Sequence, residues 1–484
     1  MFYRKPIMPK KYRFLLYPLL LNSVLLPPLK ADKPLISEKL IEFLRSTTAE
    51  EQQKGVELNP GNKRLVDALF EGDSLLIEKI ANEPETTNIV KKFTKIEALL
   101  VKGNYEEVNR QLAICKKTFF QDPNTPTLLP PINNVVMTCD QISAGNYFLE
   151  GNLPAWGEKL NNINNTYYPV IRKFKGLENF SLSATKMGSL TVFPSLIPAF
   201  TVTGIDHKQS LPIKYQDINK NKTWKIPYIN ASLNGKKTIL LLDTESAISK
   251  LPIDLKDSPH VHIVGHINYA DNGTAEIFSG DLGIVDELKI GTAVLKNVPF
   301  LFTTTKKAYL GLMVLQKLGK IKINKQQMTF GKNINCNCQQ DIHLGSTFEG
   351  DYQALKYPIT WQGRTDLVAI DLSEENIDFN LLQFKSEFTP EEQILFEKQK
   401  KIIDEFTDIT KDKITDPAYI VESDLSIDGI NYRKRQKLVL KDTRRRPTMT
   451  IGASILEKAD LYLDFINHKA CLMPNNSDTQ PMPQ

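Results

Sequence analysis

The stretch Lys236–Ser249, KKTILLLDTESAIS, decides how the rest of the chain is read. Ile239–Leu242 is a continuous apolar run that ends on Asp243-Thr244, and a small residue, Ser246, follows closely. Such a run predicts a strand buried on both faces. A carboxylate at its end is costly to bury unless it is paired, hydrogen-bonded or shares a proton. A second carboxylate placed opposite meets that demand, because two acids can hold one proton between them. The chain supplies one, where Leu367-Val368-Ala369-Ile370 runs into Asp371-Leu372-Ser373.

Outward from these two points the pattern is β, and it occurs twice. In the first copy a strand, an Asn234-Gly235 hairpin turn and a second strand lead into Asp243. Strands are expected near Val261–Ile267, Asp281–Ile290 and Ala293–Phe302. Then come Tyr309-Leu310-Gly311, a short helix over Met313–Leu318 and a last strand over Lys320–Phe330. After the polar stretch Gly331–Gly350 the order recurs. A strand over Tyr357–Trp361 turns at Gln362-Gly363 into the strand that ends on Asp371. Strands Tyr419–Ile427 and Tyr432–Leu440 turn about Asp428-Gly429. They are followed by Thr450-Ile451-Gly452-Ala453, a short helix Ser454–Lys458 and a closing strand Leu461–Cys471. Asp and Gly lie 68 residues apart in the first copy and 81 in the second, and a helical insert over Pro390–Thr407 is expected to account for much of the difference.

Each copy resembles one lobe of a retropepsin/pepsin-type aspartic peptidase. Asp243-Thr244 and Asp371 fall on that family's Asp motif, and Leu310-Gly311 and Ile451-Gly452 on its later Gly motif; the resemblance covers roughly residues 224–475. It implies two facing lobes, a catalytic dyad of Asp243 and Asp371 that activates a water, and a flap hairpin over an extended peptide. Thr244, Ser246, Ser373, Gly311 and Gly452 are the implied supporting residues. No metal or other cofactor is implied. The chain departs from the pattern where the Gly of the Asp motif is Glu245 in one copy and Ser373 in the other. It also departs at Leu372, which cannot make the cross-lobe bond open to Thr244. Glu245, Glu374 and Glu375 would add carboxylates near the dyad, which favours neutral forms.

Before the β half, residues 32–180 read as helical, with apolar residues at three- and four-residue intervals. LVKGNY at Leu100–Tyr105 and FLEGNL at Phe148–Leu153 echo each other 48 residues apart. In each, one helix ends at Gly-Asn and the next begins. The segment around Ala144-Gly145-Asn146-Tyr147 resembles a tetratricopeptide repeat, and an irregular bundle is the alternative. Either reading suggests a scaffold or docking module.

Met1–Ala31 joins a basic start to an apolar run and reads as a secretory signal cut near Ala31. An uncleaved anchor is the alternative, and only then would the chain be tied to a membrane. The segment carries six Lys/Arg and no acid. Without it 55 basic residues face 56 acidic ones, so the formal +5 gives no support for nucleic-acid binding. Export permits disulfides. Cys115 could pair with Cys139, and Cys336 or Cys338 with Cys471. Cys336-Asn337-Cys338 lacks the second ligand pair of a zinc site. His260, His262 and His266 read as an exposed flap-side strand, and Arg444-Arg445-Arg446 as a solvated loop. Asp442-Thr443-Arg444 follows a charged residue and lies too near Gly452 to be a dyad member. There is no Gly-rich phosphate loop and no Gly-x-Ser-x-Gly elbow.

The expected architecture is therefore multidomain α + β: an N-terminal α-helical, repeat-like domain followed by a mainly-β, bilobal acid-protease-like domain. Its divisions are a signal peptide at 1–31, helices at 32–180, a junction at 181–223, a first lobe at 224–331, a linker at 332–354, a second lobe at 355–475 and a tail at 476–484. Two functions follow from it. One is an exported (periplasmic or secreted) aspartic endopeptidase acting on peptides or unfolded protein, with the helical domain docking substrate or a protein partner. The other is an inactive, protease-like binder of peptides or a partner protein.

Overall fold

The structure, a computed structural model, describes residues 60–84, 86, 88–120, 134–173, 188–217, 225–270, 277–335, 337–361, 364–373, 380–384, 406–407, 413–414, 418–427, 430–441 and 450–475. A helical region is followed by a large mixed β region. The expected signal segment, Cys336, Glu374, Glu375 and Arg444–Arg446 lie outside the described residues. None of the described helices is long and apolar enough to cross a membrane.

Among the described residues the first region holds seven helices: α1 (Pro60–Glu71), α2 (Ser74–Ala81), α3 (Asn88–Leu100), α4 (Tyr105–Phe120), α5 (Asn134–Glu150), α6 (Leu153–Thr166) and α7 (Tyr168–Ile171). Within 63–82, part of the stretch that reads as helical, the chain forms parts of two helices, α1 and α2. Gly72 takes a left-handed conformation (φ 72°), and the Asp73 carboxylate caps α2 by accepting from the Leu76 amide. The two Gly-Asn junctions share one geometry. Gly103 and Gly151 both have φ near 70–80°, and the Asn104 and Asn152 side chains accept amides three residues on. The inner faces of α1–α5 meet in one apolar core that includes Leu69, Phe93, Leu112 and Ile142. A disulfide joins Cys115 of α4 to Cys139 of α5.

In the first β sheet, strand Lys225–Leu233 turns at Asn234-Gly235 onto strand Lys236–Leu242. Both turn residues have positive φ, as a two-residue hairpin requires. Lys236–Leu242 then lies parallel to the two-residue strand Tyr309–Leu310, with Leu242 opposite Leu310. Val261–Ala270, Ile277–Ile290 and Ala293–Thr303 form an antiparallel meander on the same sheet. The second sheet repeats the central feature. Arg364–Ile370 pairs antiparallel with Gln353–Trp361 and parallel with Thr450–Ile451, with Ile370 opposite Ile451. Ala418–Ile427 and Ile430–Lys441 form its hairpin.

A five-stranded sheet joins the ends of the two copies. Each copy closes in a hairpin, Lys320–Ile323 with Gln327–Gly331 and Ala459–Asp464 with Lys469–Pro474, and the two hairpins pair with Ile321 opposite Leu463. The single closing strands expected at 320–330 and 461–471 are thus each folded in two. The Asn324 side chain accepts the amides of Gln326 and Gln327, and the Asp464 carboxylate those of Ile466 and Asn467, which bends the chain at both points. A disulfide from Cys338 to Cys471 runs along this seam. Side chains from both copies, among them Leu240, Phe300, Ile321, Val368 and Leu463, share one core.

The stretch 181–223, expected as a junction of short strands and turns, and the stretch 332–354, expected as a linker, both contribute strands to the sheets. Within 181–223, the strands Gly188–Leu190, Thr201–Thr203, Gln209–Pro212 and Lys214–Asp217 pair with strands of the β region. Within 332–354, His343–Ser346 is a strand on the second sheet. Of the insert expected as helix at Pro390–Thr407, only Phe406–Thr407 is described, and it is a strand paired with Lys413–Ile414.

Candidate active site

The site is built where each buried strand runs out. Leu240, Leu241 and Leu242 are wholly buried, so the chain can leave the sheet only at the polar residue that follows. The Asp243 amide donates to the Leu310 carbonyl and the Asp371 amide to the Ile451 carbonyl, so each Asp is pinned beside its parallel partner strand in the same way. Each carboxylate is then held by its own turn. Asp243 Oδ1 accepts from the Glu245 amide at 3.2 Å, and Asp371 Oδ1 from the Ser373 amide at 2.8 Å. The Ser373 hydroxyl adds a further bond of 2.8 Å to Asp371 Oδ1. Both Asp residues are nearly closed off from solvent, at 3% and 4% exposed.

Thr244 stitches the two turns together. Its hydroxyl donates to the Ile370 carbonyl and accepts the Leu372 amide at 3.1 Å, so one side chain bonds the peptide groups on both sides of Asp371. The reciprocal link is missing because Leu372 has no hydroxyl. Its side chain is instead wholly buried in the shared core. Gly311 packs directly against the first turn. A Cβ there would lie 2.7 Å from the Ile248 carbonyl carbon and 2.9 Å from the Ser246 oxygen, too close for any side chain. The Leu312 amide donates to that same Ser246 oxygen at 2.8 Å. Gly452 stands at the matching position after Thr450–Ile451.

Lys250 and Tyr309 also lie beside the first turn. Lys250, seven residues after Asp243, brings its Nζ to 3.6 Å from Asp243 Oδ2 and keeps only 19% of its side chain exposed. Tyr309 pairs across the sheet with Lys250. Burial pushes the Tyr309 phenol above its ordinary range; Asp243 and, less strongly, Asp371 push the same way, and Lys250 opposes them. Glu245 does not face outward. It is 4% exposed, and the Tyr352 hydroxyl donates to its Oε1 at 3.4 Å. Burial, followed by the charges of Glu245 and Glu71, drives the Tyr352 phenol far up.

The His residues lie on the hairpin of the first sheet. His260 Nδ1 and His262 Nε2 each lie 2.9 Å from an oxygen of Asp286, and His266 Nδ1 lies 2.6 Å from Asp281. All three are largely exposed, and no group of metal-ligating side chains occurs among the described residues.

No family model and no curated protein matches the chain. Among solved structures, it is similar to an aspartic proteinase from Irpex lacteus at 10% identity and a TM-score of 0.38, over 56% of this chain and 99% of that one. It is also similar to basic 7S globulin from soybean (13% identity, TM-score 0.35) and to conglutin gamma, a basic 7S globulin from lupine seeds (12%, 0.36). Each covers 56% of this chain and 95% of its own. TM-scores this low leave the fold to be read from the chain's own strand pairings.

Proposed function

We propose that the chain is a retropepsin-like aspartic endopeptidase with both lobes in one chain, hydrolysing peptide bonds through Asp243, Asp371 and an activated water. The Thr244 hydroxyl carries this reading. By bonding both peptide groups that flank Asp371, it sets the two buried carboxylates on adjoining turns. One Asp, ionised, takes a proton from water as that water attacks the scissile carbonyl carbon. The other, protonated, donates to the carbonyl oxygen. The tetrahedral intermediate collapses with proton transfer to the leaving amine. Peptides or unfolded proteins are the substrates, and the helical region offers a surface for a protein partner. The two disulfides and the basic-then-apolar N-terminus support an exported, periplasmic or secreted protein. The test is cleavage of an unfolded protein across pH 3–7 (about that span suits a carboxylate pair) with and without a statine-type inhibitor. Cleavage blocked by the inhibitor is expected, and cleavage indifferent to it overturns the mechanism.

A second reading, a peptide-binding protein without turnover, is favoured by Lys250, whose ammonium lies 3.6 Å from Asp243 Oδ2. Lys250→Met separates the two. A peptidase in which the lysine competes with water gains about two- to fivefold in kcat, whereas a binder gains no turnover.

A further inference from the structure

The helical region sits directly on the back of the Asp243 turn. The Leu344 amide donates to the Val101 carbonyl at 2.7 Å, His343 Nδ1 lies 3.0 Å from the Gly72 carbonyl, and Gln353 Nε2 donates to the Tyr105 hydroxyl at 2.7 Å. Gly345 fits so closely beneath the end of α1 that a Cβ there would lie 2.2 Å from the Phe70 carbonyl oxygen. Ala247, four residues after Asp243, is buried in the same apolar core as Leu69 and Phe93 of the helices.

At the centre of this contact is Lys356, which is wholly buried. Its Nζ lies 3.9 Å from Glu71 Oε2 at the end of α1, and 5.6 and 5.9 Å from the stacked rings of Phe70 and Tyr352. No hydrogen bond to that Nζ occurs among the described residues. The strand bearing Lys356 is also bonded to the turn, since the Leu355 amide donates to the Thr244 carbonyl at 2.8 Å. Glu245 is buried on the same side, with its Oε1 against the Tyr352 hydroxyl. Burying an ammonium costs heavily unless opposite charge surrounds it, and removing one member of a buried set leaves the others uncompensated.

We propose that Lys356 is a positioning residue: set against Glu71 of α1 and the stacked rings of Phe70 and Tyr352, whose Tyr352 hydroxyl holds Glu245 of the Asp243 turn, it fastens the turn to the helical region, which is thereby a structural part of the site. Glu245 then does the work of the glycine it stands in for by another route. It is buried, with its carboxylate against the Tyr352 hydroxyl. Burial pushes the Lys356 amine below the ordinary lysine range, while Glu71 and then Glu245 act to restore it. The catalytic consequence rests on the peptidase reading, but the linkage itself does not.

The experiment is a thermal-unfolding cycle on the full chain with Lys356→Met, Glu245→Gln and the double variant, accompanied by pH profiles of cleavage. Lys356→Met is expected to lower Tm by about 6 °C or more, and adding Glu245→Gln to recover at least about half of that loss. In cleavage, Lys356→Met is expected to shift the pH profile, because a buried cation is lost from the back of the Asp243 turn. The double variant is expected to restore the profile. Tm losses that simply add overturn the proposal, as does an unshifted profile in an active Lys356→Met variant. If Lys356→Met does not fold, recovery of folding in the double variant supports the linkage, and no recovery contradicts it. Absence of turnover in the unmodified protein removes the peptidase reading alone, and the Tm cycle still decides the linkage.

Discussion

After Asp243 the next side chain is a threonine hydroxyl that reaches across to the opposite turn; after Asp371 it is a leucine sunk into the common core. The backbone around the two is otherwise alike, down to the amide two residues on that binds each carboxylate. The first turn is also backed by helices, and it carries the nearby cation Lys250. In the second turn Ser373 supplies both its amide and its hydroxyl to Asp371. A pair of copies can therefore keep one backbone plan while assigning cross-linking, charge and support unequally between them.

The largest expected effect is at the seam between the copies. Cys338 and Cys471 are 133 residues apart in sequence, and Cys115 and Cys139 are 24 apart. Chain-entropy arguments put removal of the long link, by Cys338→Ala with Cys471→Ala, at about 5 kcal/mol, and removal of the shorter one at about 3 kcal/mol. Chemical denaturation of both variants measures the difference, and equal losses would mean the seam is already fixed by its strands. Next comes the stitch. Thr244→Val leaves a buried carbonyl and a buried amide unpaired, at about 2–4 kcal/mol. Leu372→Thr, which makes the two turns alike in sequence, is expected to destabilise by about 1–3 kcal/mol, because it puts a hydroxyl into apolar surroundings. A stabilising Leu372→Thr would show that the asymmetry is incidental.

The smallest effect concerns pH at the face between helices and sheets. Burial pushes the His343 imidazole below its ordinary value of 6.5, outweighing the bond to the Gly72 carbonyl. The unfolded chain then binds the proton more readily, so this contribution is present above pH 6.5 and declines as pH falls through that value. Asp341 titrates lower. Burial works to raise its carboxyl, but Lys469 and Lys102 outweigh it and hold it below its ordinary value of 3.8. Its contribution is present above pH 3.8 and is lost as pH falls further. Hydrogen exchange is expected to show amides of α1 and α3 losing protection between about pH 6.5 and 4 before the strand Lys236–Leu242 does. Simultaneous loss would contradict this order.

The strands that end on Asp243 and Asp371 were legible because an apolar run followed by an acid is a local pattern, and local patterns survive in sequence. The Gly-Asn helix ends were legible for the same reason. The closing hairpins were not, because Asn324 and Asp464 act through side-chain bonds to the backbone that leave the apolar count of each stretch intact. The inward turn of Glu245 was hidden too. Its surroundings come from Glu71, Tyr352 and Lys356, more than a hundred residues away on either side, so spacing within the motif pointed only to a carboxylate near the dyad. Lys250 was within reach of a reading by position, seven residues past Asp243 on the strand that follows it.

The central claim is that Asp243 and Asp371 act as one unit, and kcat/KM for Asp243→Asn, Asp371→Asn and the double variant tests it most directly. Each single variant is expected to lose at least about a thousandfold, and the double variant no more than either. Activity retained in one single variant, or losses that multiply in the double, would contradict it.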